Sequence, residues 1–281
     1  MAVNFLEKSF TSRDGLKLYY REYQGSNQPI LCLSGLSRNS KDFHRLALHL
    51  QKQGHLVICP DYRGRGKSDY DPNPMNYHPP TYLDDIFQLL TALNIHQVVV
   101  IGTSLGGLLA MAMGAAMPSY LKAVILNDVG PDVDKNGLKR IISYLSLNTK
   151  YDSWDKAMDA AKAMFKMVNF ANPDDWQELA EASFKEYPDG KIGCNWDINI
   201  IEPLKQNKPT PDLWPLFYSL KNIPLLTIRG EKSDILNEIT LEKMISTNPK
   251  MQYITVPKVG HVPSLNEKIS RKAIDDHLKS Y

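Results

Sequence analysis

A serine framed by two glycines stands near the middle of the chain, at Gly102-Thr103-Ser104-Leu105-Gly106. A serine hydroxyl is a poor nucleophile by itself. It attacks a carbonyl only when a base within hydrogen-bond reach takes its proton and an acid orients that base. The pentapeptide alone is a weak signal, because three such fixed positions match by chance at about one site in 3000. Its context is stronger. Val98 to Ile101 is an apolar, β-branched run that reads as a buried parallel strand, and the Ala-, Leu- and Met-rich run after Leu105 reads as a helix. A serine at the apex of so sharp a strand-to-helix turn has a strained backbone. Side chains two residues to either side would collide with the strand and helix packed there. Ser104 is therefore the expected nucleophile.

Seven histidines could supply the base. His44, His49 and His277 fall in helical patterns and read as surface residues. His55 and His96 precede strands, at the end of a parallel sheet away from which its chemistry gathers. His78 lies in a Pro-rich loop. His261 follows the last strand in Gly260-His261-Val262-Pro263, a turn that would present the ring over the sheet, and it is the expected base. Two aspartates could orient it. Asp234, after the strand at 224–230, gives the chain order serine, acid, histidine and is preferred. Asp128, at the end of the strand run 121–128, is the alternative; its other reading is a cap on the next turn or a partner for Arg38. Negative charge developing on the former carbonyl oxygen needs two backbone N–H groups. Leu105 is one candidate and Leu36, in the loop after the first buried strand, is the other; losing one such donor typically costs about 10²–10³ in turnover. Arg38, just beyond that loop, could bind a substrate carboxylate or pair with Asp61 or Asp128.

These residues need a scaffold, and the apolar runs supply one. Residues 9–23 alternate around Asp14-Gly15 and predict a β-hairpin. Buried strands follow at 29–33, 55–60, 98–101 and 121–128, separated by helical patterns at 42–53, from Pro80 or Thr81 to Leu93, and after Leu105. Such alternation predicts a parallel sheet with right-handed crossovers and helices on both faces. From Pro131 to about residue 219 the buried-strand pattern is absent. Helical periodicity occupies 137–147 and 153–168, and Asn172-Pro173-Asp174 reads as the capped start of a third helix. This block holds all four tryptophans, and Trp154, Trp196 and Trp214 are candidates for an aromatic lid over the site. Strands resume at 224–230 and 251–256, and an amphipathic helix is expected over 267–281. The expected organisation is a core over 1–130 and 220–281 with a helical insertion at 131–219.

Composition excludes several function classes. A net charge of +2 with no basic stripe argues against nucleic acid. The longest apolar run, Leu105 to Pro118, is too short to span a bilayer, and Met1 to Phe10 lacks a signal-peptide core, so no membrane association and a cytoplasmic location are expected. Cys32, Cys59 and Cys194 are odd in number and widely spaced, which predicts neither disulfides nor a metal site. Cys32 and Cys59 sit in strand runs and read as buried thiols.

Four stretches together carry a resemblance that covers essentially the whole chain: Gly102-Thr103-Ser104-Leu105-Gly106, Asp61-Tyr62-Arg63-Gly64-Arg65-Gly66-Lys67-Ser68, Gly230-Glu231-Lys232-Ser233-Asp234 and Gly260-His261-Val262-Pro263. In that order they resemble the α/β-hydrolase fold superfamily. The resemblance implies a mostly parallel eight-stranded twisted sheet, a helical cap inserted after the sixth strand, a Ser104–His261–Asp234 triad, and no cofactor. Ser34-Gly35 stands where many relatives carry His-Gly; the glycine that lets the loop turn is kept. The Asp61–Ser68 turn looks like the family's structural turn beside the site. The expected activity is hydrolysis of a small carboxylic ester, lactone or thioester, with a small-molecule acyl substrate and a monomer or homodimer as the working unit. Alternatives are C–C bond hydrolysis of a vinylogous diketone, haloperoxidase-like chemistry, and non-catalytic ligand binding on the same fold. Epoxide and haloalkane hydrolysis are disfavoured, because those relatives place Asp at the elbow.

Overall fold

The computed structural model describes residues 4–165, 168, 173–206 and 211–280. The hairpin forms where expected: β1 (Leu6–Thr11) and β2 (Lys17–Tyr23) pair antiparallel across Asp14-Gly15, where Gly15 takes φ +88°. The alternating units follow as β3 (Asn27–Leu33), α1 (His44–Lys52), β4 (His55–Pro60), α2 (Pro79–Ala92), β5 (Val98–Thr103), α3 (Leu105–Ala116) and β6 (Leu121–Asn127). The inserted block holds α4 (Lys135–Leu145), α5 (Trp154–Met164), α6 (Pro173–Ser183), β7 (Phe184–Glu186), β8 (Ile192–Cys194) and α7 (Trp214–Tyr218). The core closes with β9 (Leu225–Gly230), α8 (Glu238–Thr247), β10 (Gln252–Val256) and α9 (Lys268–Leu278).

Eight strands form one sheet in the order β1-β2-β4-β3-β5-β6-β9-β10. The pairs β1–β2 and β2–β4 are antiparallel and the rest parallel. The inner parallel strands β3, β5, β6 and β9 are covered on both faces, which explains their apolar runs, whereas β10 is an edge strand with Gln252 and Tyr253 exposed. Leu46 and Leu50 of α1 and Ile274 of α9 pack on one face; Ile86 of α2, Leu109 of α3 and Met244 of α8 pack on the other. Val99, Val100, Ile101, Val124 and Ile125 are fully buried, and each such side chain contributes about 1.5–3 kcal/mol on burial. All three cysteines are free and buried.

The insertion is not wholly helical. β7 and β8 form an antiparallel hairpin with Phe184 opposite Cys194. Three-residue strands are too short to show a period, so no strand was expected there. α4 and α5 occupy the predicted helical stretches, ending earlier than expected at Leu145 and Met164. The predicted cap at Asn172 lies outside the described residues. Among the described residues no helix is long and apolar enough to cross a membrane, and no group of three or more His, Cys, Asp or Glu could hold a metal ion.

His277 corrects one expectation. Helical periodicity made it a surface residue, yet the ring is 1% exposed, with Nδ1 2.9 Å from Gln252 Oε1. α9 turns this face onto the sheet edge, and burial pushes the imidazole down to about 4. A histidine buried in its neutral form stabilises the fold above its unfolded pKa near 6.5, and that contribution is lost as pH falls toward 4. Chemical denaturation should therefore show about 3 kcal/mol of stability lost across that window. Replacing His277 by Gln should flatten that limb; an unchanged acid profile would contradict the assignment.

Candidate active site

The site is built at the carboxyl ends of four neighbouring strands and the loop after a fifth. β5 ends at Thr103 and α3 begins at Leu105, which leaves Ser104 alone in the turn at φ +52°. The flanking glycines are required by contact. A Cβ on Gly102 would lie 2.3 Å from the Gly106 carbonyl oxygen, and one on Gly106 would lie 2.0 Å from that of Leu33. The strained apex lifts the serine hydroxyl clear of the sheet.

His261, in the loop after β10, brings Nε2 to 3.1 Å from Ser104 Oγ. Its other nitrogen, Nδ1, lies 2.7 Å from Asp128 Oδ2. Asp128 follows β6 directly and is fully buried at φ +58°. Its Oδ1 accepts the Gly230 N–H at 2.8 Å, and its Oδ2 also accepts the Ser233 hydroxyl at 2.7 Å. The carboxylate is thus held by three donors from β9, its following loop and the histidine, and a carboxylate so satisfied is pinned in one rotamer.

Asp234 is not on the histidine. The preferred acid gives way to Asp128, and the local reason is Ser233. Its hydroxyl donates to Asp128 and accepts the N–H groups of Ile235 and Leu236, so the next side chain turns outward. There Asp234 takes a bidentate bond from Arg140 of α4, at 2.6 and 2.9 Å. Burial alone would raise the Asp234 carboxyl, but the Arg140 guanidinium overrides it and holds the group below the ordinary carboxylate value. The pair is part-exposed, so Asp234→Asn should cost under about 1 kcal/mol and change turnover by less than about threefold. A large loss of kcat in a well-folded variant would return Asp234 to the reaction.

Leu36 lies in the loop after β3 and Leu105 opens α3 directly after Ser104. Among the described residues, neither N–H meets an acceptor within the protein. Gly35 brings the Leu36 loop against Ser104: a Cβ on it would sit 3.8 Å from Ser104 Cβ. The Asp61–Ser68 turn holds this loop from behind. Arg65, fully buried among Tyr62, Tyr77 and Tyr82, donates Nε to the Leu36 carbonyl at 2.8 Å. Asp61 accepts the Ser40 and Lys67 N–H groups at 2.7 and 2.9 Å. Arg65 also pairs as an isolated bridge with Trp196, so one turn ties the donor loop to the inserted block.

Above Ser104 lies a cavity of about 160 Å³. Ile141 and Tyr144 of α4 and Phe165 after α5 line it from the insertion, and Pro263 and Leu265 line it from the core. Arg38 lines it as well, but not as a free cation. Its fork is engaged by Asp42, with Nε 2.8 Å from Oδ2, and by the Ser183 hydroxyl, and it lies 5.1 Å over the Phe165 ring. Neither Asp61 nor Asp128 is its partner.

The tryptophans do not reach the cavity. Trp154 is the first residue of α5, which Ser153 caps, and is 39% exposed. Trp196 is buried behind Arg65 beside Phe184. Trp214 is buried, donates to Asp132 at 2.9 Å and lies under the Lys243 ammonium. Tryptophan marked the insertion's own packing, and smaller aromatics line the ligand space. Tyr144, Phe165 and Lys41 were not singled out from sequence. The i, i+3 spacing of Ile141 and Tyr144 offers a signal, but a helical apolar face suits core packing and a lid equally.

Residues 28–161 match the family model described as "alpha/beta hydrolase fold". A crystal structure of an α/β hydrolase from Novosphingobium aromaticivorans is 40% identical, with 99% of each chain covered and a TM-score of 0.92. A 3-hydroxybutyrate-oligomer hydrolase of Cupriavidus necator is 29% identical over 88% of each chain. A 2-(acetamidomethylene)succinate hydrolase of Mesorhizobium japonicum is 25% identical over 99% of each. The full-length correspondence with solved and curated hydrolases, on a sheet of this order, carries one conclusion: the chain belongs to the α/β hydrolase fold family and is a hydrolase.

Proposed function

We propose that this protein is a serine hydrolase of small carboxylic esters, acting through an acyl-enzyme on Ser104. The observation that carries the reading is the continuous hydrogen-bonded line from Ser104 Oγ through His261 to buried Asp128, opening into a cavity of small-molecule size. His261 Nε2 takes the hydroxyl proton as Ser104 Oγ bonds to the substrate carbonyl carbon. Asp128 holds the Nδ1–H tautomer and stabilises the imidazolium. The Leu36 and Leu105 N–H groups receive the charge on the tetrahedral oxygen. Collapse expels the alkoxide with the proton from His261. Water, deprotonated by the same ring, then attacks the acyl carbon and releases the acid and free Ser104.

Residues 131–219 serve as a cap in this reading, supplying Ile141, Tyr144 and Phe165 as an apolar wall for the substrate chain. The hydroxybutyrate-oligomer hydrolase supports ester cleavage, and its name suggests a short linear ester as a test substrate. C–C hydrolysis is less well supported, since Arg38, the residue meant to receive its acid group, is already engaged by Asp42 and Ser183. The test is fluorophosphonate labelling together with a panel of acyl p-nitrophenyl esters of increasing chain length. Labelling at Ser104 with turnover of short esters is expected; an unlabelled protein that turns over none of them refutes the reading.

A further inference from the structure

The cavity wall also carries charged side chains. The loop after β3 and the first turns toward α1 place Arg38, Lys41 and Arg45 along its wall, and α6 places Asp175 and Glu178 opposite. Two of the three cations are matched. Arg38 is paired with Asp42, and Arg45 with both Asp175 and Glu178. Lys41 differs. Its Nζ donates to the Glu181 carbonyl at 2.8 Å, and among the described residues no carboxylate lies within ion-pair distance of it. The carboxylates of Glu181 and Asp61 act on it only through space. Glu181 is hydrogen-bonded by Gln177, and Asp61 is held by backbone N–H groups. Arg21 and Lys67 add positive charge to the same neighbourhood.

An ammonium has three donors and no acceptor. Here one donor is spent on a neutral carbonyl. Burial, reinforced by Arg21, lowers its proton affinity below that of an ordinary lysine, so an anion brought to it would relieve an existing cost. From this geometry we infer that Lys41, which lines the same cavity as Ser104, is a recognition residue for a free carboxylate carried by the substrate. The substrate class is a short-chain ester bearing one carboxylate, on its acyl or its alcohol part. One ammonium with no carboxylate in contact can take a single negative charge at hydrogen-bond distance; a phosphate dianion would leave one charge buried without a partner. The cavity of about 160 Å³ limits the linker to a few carbons. This inference rests on ester hydrolysis at Ser104.

The experiment compares matched substrates. p-Nitrophenyl half-esters of linear dicarboxylic acids are measured against their methyl-capped forms. Butyrate esters of ω-hydroxy acids are likewise measured against the corresponding methyl esters. In at least one pair the wild-type enzyme should favour the free carboxylate about tenfold or more in kcat/KM, through KM, a discrimination equal to one desolvated charge contact. Lys41→Gln should bring that ratio to about one, and Lys41→Arg should retain most of it. A purely structural lysine would lower both members of a pair together and leave the ratio unmoved. A wild-type ratio near one, or a ratio that survives in Lys41→Gln, overturns the inference while leaving ester hydrolysis standing. Failure to cleave either member of any pair, with Ser104 unlabelled by fluorophosphonate, removes the ester reading and this inference with it.

Discussion

Ser104→Ala is expected to lower kcat by about 10⁴–10⁶-fold on any ester the enzyme accepts. The hydroxyl is the only atom at the apex that can form the acyl bond, and Leu105 and Gly106 offer no substitute. The residual rate should be the catalysis supplied by binding and by the two backbone donors. The fold should survive. Ser104 Oγ contacts His261, and alanine carries the same φ +52° strain as serine. A Tm within about 3 °C of wild type is therefore expected. Fluorophosphonate adduct mass, read by intact-protein mass spectrometry, should vanish in the variant. A variant that still acylates would move the nucleophile elsewhere.

Asp128→Asn should be nearly as damaging, with kcat reduced by about 10⁴-fold and KM little changed. The replacement is isosteric, and its Oδ1 can still accept the Gly230 N–H. Its amide nitrogen, however, takes the place of Oδ2, between Ser233 Oγ and His261 Nδ1. An amide N–H donates, so Nδ1 must lose its proton, and the proton moves to Nε2. That tautomer cannot accept from Ser104. Asparagine is the variant to use because alanine would also orphan the buried Gly230 N–H, at about 1–3 kcal/mol. Asp234→Asn provides the comparison. The two variants should differ by more than a thousandfold in kcat, and equal losses would defeat the assignment of Asp128 as the orienting acid.

Much of the scaffold was legible from period and composition. β3, β5, β6 and β9 are continuous apolar runs because each is covered on both faces, and a run of β-branched residues has few other places to go. Gly102 and Gly106 were readable for the same kind of reason: both occupy contacts of under 2.5 Å, where only the absence of a Cβ permits the turn. The histidine followed from elimination, since His261 alone lies just beyond the carboxyl end of a strand with a turn to lift it.

The acid could not be settled in that way. Asp128 and Asp234 both follow strands, and chain order favours the second. What separates them is a hydroxyl on Ser233 and a guanidinium on Arg140, which lie 105 and 94 residues from their partners. The tryptophans misled for a related reason. Their size suits a lid or a core equally, and only the contacts with Arg65, Asp132 and Lys243 bury Trp196 and Trp214 away from the cavity, while Trp154 faces outward. By itself the sequence determined the sheet, the elbow and the end of the sheet at which chemistry gathers, because backbone sterics and burial act over a few residues. Only the tertiary structure decided which carboxylate meets the imidazole, which side chains line the cavity and which of its cations has no carboxylate in contact. Hydrogen-bond partnership is a matter of ångströms between residues a hundred positions apart, and no local pattern encodes it.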